Sequence, residues 1–244
     1  MTLQQTTAAA IILGLGVAVG GLLIGLGFER GRSADRYVTV KGVAERDVTA
    51  DLAIWPLRVV AADNDLPTAH AKLQASVQKI MQFLAEQHVD TSLTALANFE
   101  VSDAFTNQFG GAERAPTRYV IRQTVMVRSN NPAQVLAASQ HVAELVNSGV
   151  VLSSGGEFGS GGPNFVFTGL NKLKPAMIGE ATARAREAAE QFAHDSKSAL
   201  GGIMTASQGV FEIMPRDQAQ GITQESQVEK TVRVVSTVNY FLKD

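Results

Sequence analysis

Val228-Glu-Lys-Thr-Val-Arg-Val-Val-Ser-Thr-Val-Asn-Tyr-Phe-Leu242 alternates more cleanly than any other stretch of the chain. Val228, Val232, Val234, Val238, Tyr240 and Leu242 fall on one side; Glu229, Thr231, Arg233, Thr237 and Asn239 fall on the other. Successive side chains of a strand point to opposite faces, so this spacing predicts a β-strand with one face on a core. Arg118 to Arg128 reads the same way, with Tyr119, Ile121, Val125 and Val127 opposing Arg118, Arg122, Thr124 and Arg128.

Working outward from these two strands, Tyr37–Ala44, Val48–Val60 and Leu96–Phe105 are further strand candidates. Pro56 has no N–H for a ladder, so its strand is expected at an edge or bulged there. Asp65 and Pro67 open a helix over about 66–88, with Leu66, Leu73, Val77, Ile80, Met81 and Leu84 on one face. Asn131-Pro132 opens a second helix to about Asn147, carrying Val135, Val142, Leu145 and Val146 on a stripe. Then strands are expected at Gly149–Ser153, Asn164–Thr168 and Ala206–Met214, with a long helix over Lys174–Leu200. The order is ββαββ, a connecting helix, then ββαββ again. That predicts a duplicated α+β fold, with repeat one at about 37–130, the connecting helix at about 131–148 and repeat two at about 149–244.

Lys plus Arg number 21 against 23 Asp plus Glu, a net charge of −2 that gives no general attraction to nucleic-acid phosphates. There is no cysteine, which excludes disulfides, thiolate catalysis and cysteine-held zinc. Charged residues make up 18 %, below the roughly 25 % of an ordinary domain. Part of the reason is that residues 2–28 carry no charged side chain.

Residues 8–28, AAAIILGLGVAVGGLLIGLGF, form an apolar run long enough for the roughly 30 Å core of a bilayer. A tail (1–7) precedes it and a polar linker (29–36) follows. The run is expected to be a retained transmembrane helix; a cleaved signal peptide is the alternative, with Gly31-Arg32-Ser33 as its weak cleavage site. Gly16, Gly20, Gly21 and Gly25 make two small-xxx-small pairs, which in lipid let helices approach and associate. Arg30, Arg32 and Arg36 follow the run, so the positive-inside rule alone would keep the body in the cytoplasm.

Val38-Thr-Val-Lys-Gly-Val-Ala-Glu-Arg-Asp-Val-Thr-Ala-Asp-Leu-Ala53 resembles the opening of the SIMPL-domain family, where a V-x-V-x-G-x-G strand leads into P-D-x-A. Gly42, Asp51 and Ala53 match; Ala44 and Ala50 replace the second Gly and the Pro. The alanine-rich helix Glu180–Ala193 and the closing strand are also similar to the family's, and the likeness covers about residues 36–243. It implies a bacterial periplasmic or membrane-attached protein, some members being linked with oxidative-stress defence and one relative forming a ring-like oligomer. It carries no catalytic residues over to this chain. On its strength the body is expected to face the periplasm from the inner membrane, against the arginines.

No constellation for catalysis, cofactor or metal is legible. His70, His88, His141 and His194 lie on or at the ends of expected helices without ligand spacing. Ser153, Ser154 and Ser160 miss the G-x-S-x-G elbow, and GGEFGSGGP (155–163) lacks the Lys-Ser/Thr of a phosphate loop. Glu45, Asp47 and Asp51 suit turn chemistry. Ala181, Ala185, Ala188 and Ala189, with Ile178 and Phe192, form a shallow helix face suited to internal packing or to a subunit contact. The expected function is an oligomeric, non-enzymatic envelope protein acting as ring or scaffold, with the bilayer and copies of itself as partners. The alternatives are a periplasmic enzyme with a dispersed site and an accessory or chaperone-like partner of another membrane protein.

Overall fold

The computed structural model describes residues 13–26, 36–105, 116–153 and 162–243. The first helix, α1, covers 13–26. The strands are β1 (Tyr37–Thr49), β2 (Leu52–Asp63), β3 (Ala95–Asp103), β4 (Tyr119–Ser129), β5 (Asn164–Val166), β6 (Ala199–Gln208), β7 (Glu212–Pro215) and β8 (Glu229–Lys243). The further helices are α2 (Leu66–Glu86), α3 (Pro132–Gln140), α4 (Ala143–Asn147) and α5 (Leu170–Asp195). The class is α+β, with two four-stranded sheets ordered β1-β8-β6, β7 pairing with β8, and β3-β4-β2-β5.

In both sheets the last strand of a trio lies between the other two: β8 between β1 and β6, β4 between β2 and β3. Each trio also has a long helix after its first strand, α5 in one and α2 in the other. The second trio runs its course between β1 and α5 of the first. The chain accordingly clusters into two compact units that are discontinuous in sequence. One comprises 1–44, 176–211 and 234–244; the other comprises 45–175 and 212–233.

In the larger unit α2 starts on Asp65, whose carboxylate accepts from the Thr68 N–H at 3.0 Å and its hydroxyl at 2.6 Å, with Pro67 in the first turn. Ala69, Leu73, Ile80, Phe83 and Leu84 of α2 are buried with Trp55, Leu57 and Val59 of β2 and Ile121, Val125 and Val127 of β4. Leu66, expected on this face, is 40 % exposed. β2 lies inside its sheet, not at an edge. Pro56 stands opposite Met126 in an unbroken register, while on the other side β5 pairs only Leu52–Ile54 and the next bridge is at Val59. Among the described residues the missing N–H thus falls where no neighbour pairs with it.

Four further expectations are corrected in this part of the chain and beyond. The connecting helix is two pieces, because His141 and Val142 turn back on Ala138 and Ser139 through i→i+3 bonds. The strand expected at Gly149–Ser153 is a single bridge from Leu152 to Val59. Helix α5 stops at Asp195, with Lys197 in the left-handed region at φ 56°, so that β6 begins before Leu200. The strand expected over Ala206–Met214 is split between β6 and β7 at Gly209, where a side chain would press on the Val235 carbonyl.

In the smaller unit β8 carries Val234, Val238 and Tyr240 inward, and Val238 and Tyr240 pack with Val40 of β1 and Ala185 and Ala189 of α5. The alanines Ala181, Ala185, Ala189 and Ala193 recur every fourth residue of α5 and are 0–4 % exposed. Small side chains on one stripe let the helix backbone settle close to the strands. The alanine face is therefore used for internal packing. Phe192, grouped with it from sequence, points outward and is 59 % exposed.

Candidate functional site

The motif residues Gly42, Asp51 and Ala53 prove to be packing positions. A Cβ at Gly42 would fall well inside contact distance of the Ala181 carbonyl oxygen and the Ala185 amide nitrogen, so α5 can lie on β1 only over a glycine. Asp51 accepts from the Thr168 N–H at 2.8 Å and the Thr168 hydroxyl at 2.9 Å, fixing the turn before α5. Ala44, Ala50 and Ala53 are 1 %, 4 % and 0 % exposed, leaving no room for larger groups.

The acids and histidines are dispersed. Glu45 reaches Arg233 at 3.3 Å, Asp47 accepts from the Thr231 hydroxyl at 2.6 Å, and Asp51 is held by Thr168. His141 lies 3.2 Å from Glu144 and His194 3.3 Å from Asp195, both pairs exposed. His70 sets its ring edge-on to Phe99, and His88 takes up the left-handed φ of 58° just past α2. Among the described residues no three His, Asp or Glu side chains gather as a metal site. Ser153 donates its backbone N–H to Arg58; Ser154, Ser160 and residues 155–161 of the glycine-rich stretch lie outside the described residues.

Hydrogen bonding sets the direction of the shifted carboxylates. Lys72 holds Asp63 below the usual range, the Ser92 backbone holds Asp90, Arg118 holds Asp103, Gln191 and His194 hold Asp195, and Gln224 holds Glu225. Arg118 also lies 5.2 Å and 4.8 Å from the ring centres of Phe105 and Tyr119, closing the base of the β3–β4 hairpin. The sequence reading missed Lys230. It takes an inward position of β8, is 2 % exposed, and donates to the backbone carbonyls of Gln224 and Gln227. Burial pushes its ammonium below the ordinary lysine value, with Glu225 opposing. A lysine on the apolar side of an alternating strand was the available signal.

Helix α1 presents the largest unassigned feature. Leu13, Leu15, Val17, Val19, Leu22, Leu23, Ile24 and Leu26 are between 42 % and 75 % exposed. A Cβ added at Gly16, Gly20, Gly21 or Gly25 meets nothing within 4 Å, so these glycines leave open strips along the helix. The described helix rises about 21 Å, short of the roughly 30 Å of a bilayer core. No helix among the described residues is long and apolar enough to cross a membrane. Residues 8–12 and 27–28 of the expected span lie outside the described residues.

No curated protein matches the sequence significantly. A family model does: SIMPL, described as a protein of unknown function (DUF541), matches residues 38–240. The match takes in β1, both helix-bearing trios and nearly all of β8, including the positions where Gly42, Asp51 and the α5 alanines pack. The chain belongs to the SIMPL family.

Proposed function

We propose that this is a membrane-anchored, non-enzymatic protein of the bacterial cell envelope. Its body stands on the periplasmic side of the inner membrane and assembles as a homo-oligomeric ring or scaffold, in the stress-defence setting that the family resemblance implies. The observation that carries the reading is α1. Eight large apolar side chains there lie open. At about 1.5–3 kcal/mol for each fully hidden side chain, covering them is worth on the order of 10 kcal/mol once their partial exposure is allowed for. That is comparable with the whole stability of a typical domain, about 5–15 kcal/mol. A helix of this kind needs a bilayer or packed copies around it, and the glycine strips suit both.

Two features support the rest. Among the described residues every shifted carboxylate is lowered, the direction of surface acids in ion pairs and turns and the opposite of a general acid. Anchoring also confines the bodies to a plane, where weak contacts at the edges β3 and β6 accumulate. The recurrence of one strand order in both sheets supports a duplicated unit, one copy nested within the other. Flotation with vesicles of phosphatidylethanolamine and phosphatidylglycerol tests the anchor. The natural protein should rise with the lipid, while Leu22→Lys/Leu23→Lys/Ile24→Lys, at about 3 kcal/mol per lysine, should stay below. A variant that floats as well as the natural chain contradicts the proposal.

A further inference from the structure

Helix α2 packs on β2 and β4 and leaves the same face of the edge strand β3 uncovered. Cross-strand register defines that face: Leu96 stands opposite Val125 and Val101 opposite Ile121, both partners being core residues. Between them the ladder slips. Ala97 faces Thr124 and Glu100 faces Arg122, so Asn98 and Phe99 together oppose the single residue Gln123. This is a β-bulge, with Asn98 at φ 51° in the left-handed region. Such strained backbone is kept where a side chain must be re-aimed. Here it turns out Phe99, 54 % exposed, whose ring stands 6.3 Å from that of His70 at an interplanar angle of 82°.

The outcome is an open groove of about 450 Å3 between α2 and β3, within the size range of small-molecule clefts. Phe99 and Leu96 form its apolar side; Gln74 and Gln78 of α2 and Gln123 of β4 bring three amides to it, beside His70. Gln123 is out of character with its own face of β4, where Ile121, Val125 and Val127 are buried. Among the described residues these three amides make no side-chain hydrogen bond. Among the described residues no Asp, Glu, Lys or Arg lines the groove.

We infer that the groove binds a neutral sugar residue, free or within a glycan. A sugar ring has an apolar C–H face, which suits an exposed phenyl ring, and a rim of hydroxyls that both donate and accept. Side-chain amides supply both functions in one group. Among the described residues an ion would find no carboxylate, ammonium or guanidinium here. An extended peptide would need an unbroken strand edge, and the bulge interrupts it at Asn98–Phe99.

The test is saturation-transfer NMR on the full-length protein in a polyoxyethylene detergent, since a maltoside headgroup would compete. The probes are N-acetylglucosamine and its β-1,4-linked tetramer. Millimolar binding is expected for at least one of them, with transfer strongest to the C–H protons of the ring. Binding of the monomer marks a free sugar as sufficient; binding of the tetramer alone marks a glycan chain. Phe99→Ala and Gln123→Leu should each weaken binding about threefold to tenfold. The first lies at an open edge and the second adds an apolar side chain to an apolar face, so both should fold, checked by an unchanged unfolding transition. Absence of transfer to both probes, or binding by both variants as tight as by the natural protein, overturns the inference.

Discussion

Gly42 and Asp51 stand out in sequence as a glycine in a motif and an acid suited to a turn, and their neighbours say what each does. Replacing Gly42 by Ala drives a methyl group into the α5 backbone at Ala181 and Ala185, which cannot yield as a side-chain tip would. Gly42→Ala should therefore lower stability by roughly 3 kcal/mol, read as a lower urea midpoint; an unchanged midpoint would mean that α5 does not lie on β1. Lys230 offers a second test. The unfolded chain keeps its lysine proton to about 10.5, whereas burial makes the folded chain release it earlier. Between those two points the unfolded state holds more protons, so this residue makes stability rise with pH. From pH 7 to 10 the natural protein should gain stability relative to Lys230→Met; parallel curves would show that the ammonium is not held in a dry site. The role of Gly42 was not legible beforehand, because residues some 140 positions away explain it. Lys230 left a sign in its place on the apolar side of an alternating strand, but not the loop that folds over it.

Strands with clean alternation declared themselves. β4 and β8 lie within a few residues of where their pattern put them, because one face of each is buried and the other is not. β6 did not: it is an edge strand with both faces largely open, Ile203 and Met204 included, and two glycines near its start erase the period. The groove beside β3 was equally hidden, since a bulge is a property of register between two strands. The alanine stripe of α5 was legible as a close-packing face, and the structure shows what it packs on. Among the described residues the glycines of α1 have no such internal partner. Gly16→Leu/Gly20→Leu/Gly21→Leu/Gly25→Leu should weaken self-association without altering the unfolding of the body, because bulk blocks helix approach and touches no core. Light scattering in mild detergent reads it; an unchanged particle mass would remove α1 from the assembly contact.

At the scale of the whole molecule, the α+β class follows from patterns of period two and 3.6, but the interleaving of the two trios does not. Periodicity is local, and nothing in it says which strand returns to lie between two earlier ones. The same limit applies to the direction in which the body faces. Charge beside α1 argues for the cytoplasm, whereas the proposed function puts the body in the periplasm. The natural chain has no cysteine, and Val210, 78 % exposed between β6 and β7, offers a site where one can be added without touching the core. The decisive measurement is labelling of Val210→Cys in intact cells with a thiol reagent that crosses only the outer membrane, followed by an alkaline carbonate wash. A periplasmic body held by α1 predicts labelled chain in the washed membrane pellet. Label that enters only after lysis, or labelled chain released to the supernatant, would contradict it.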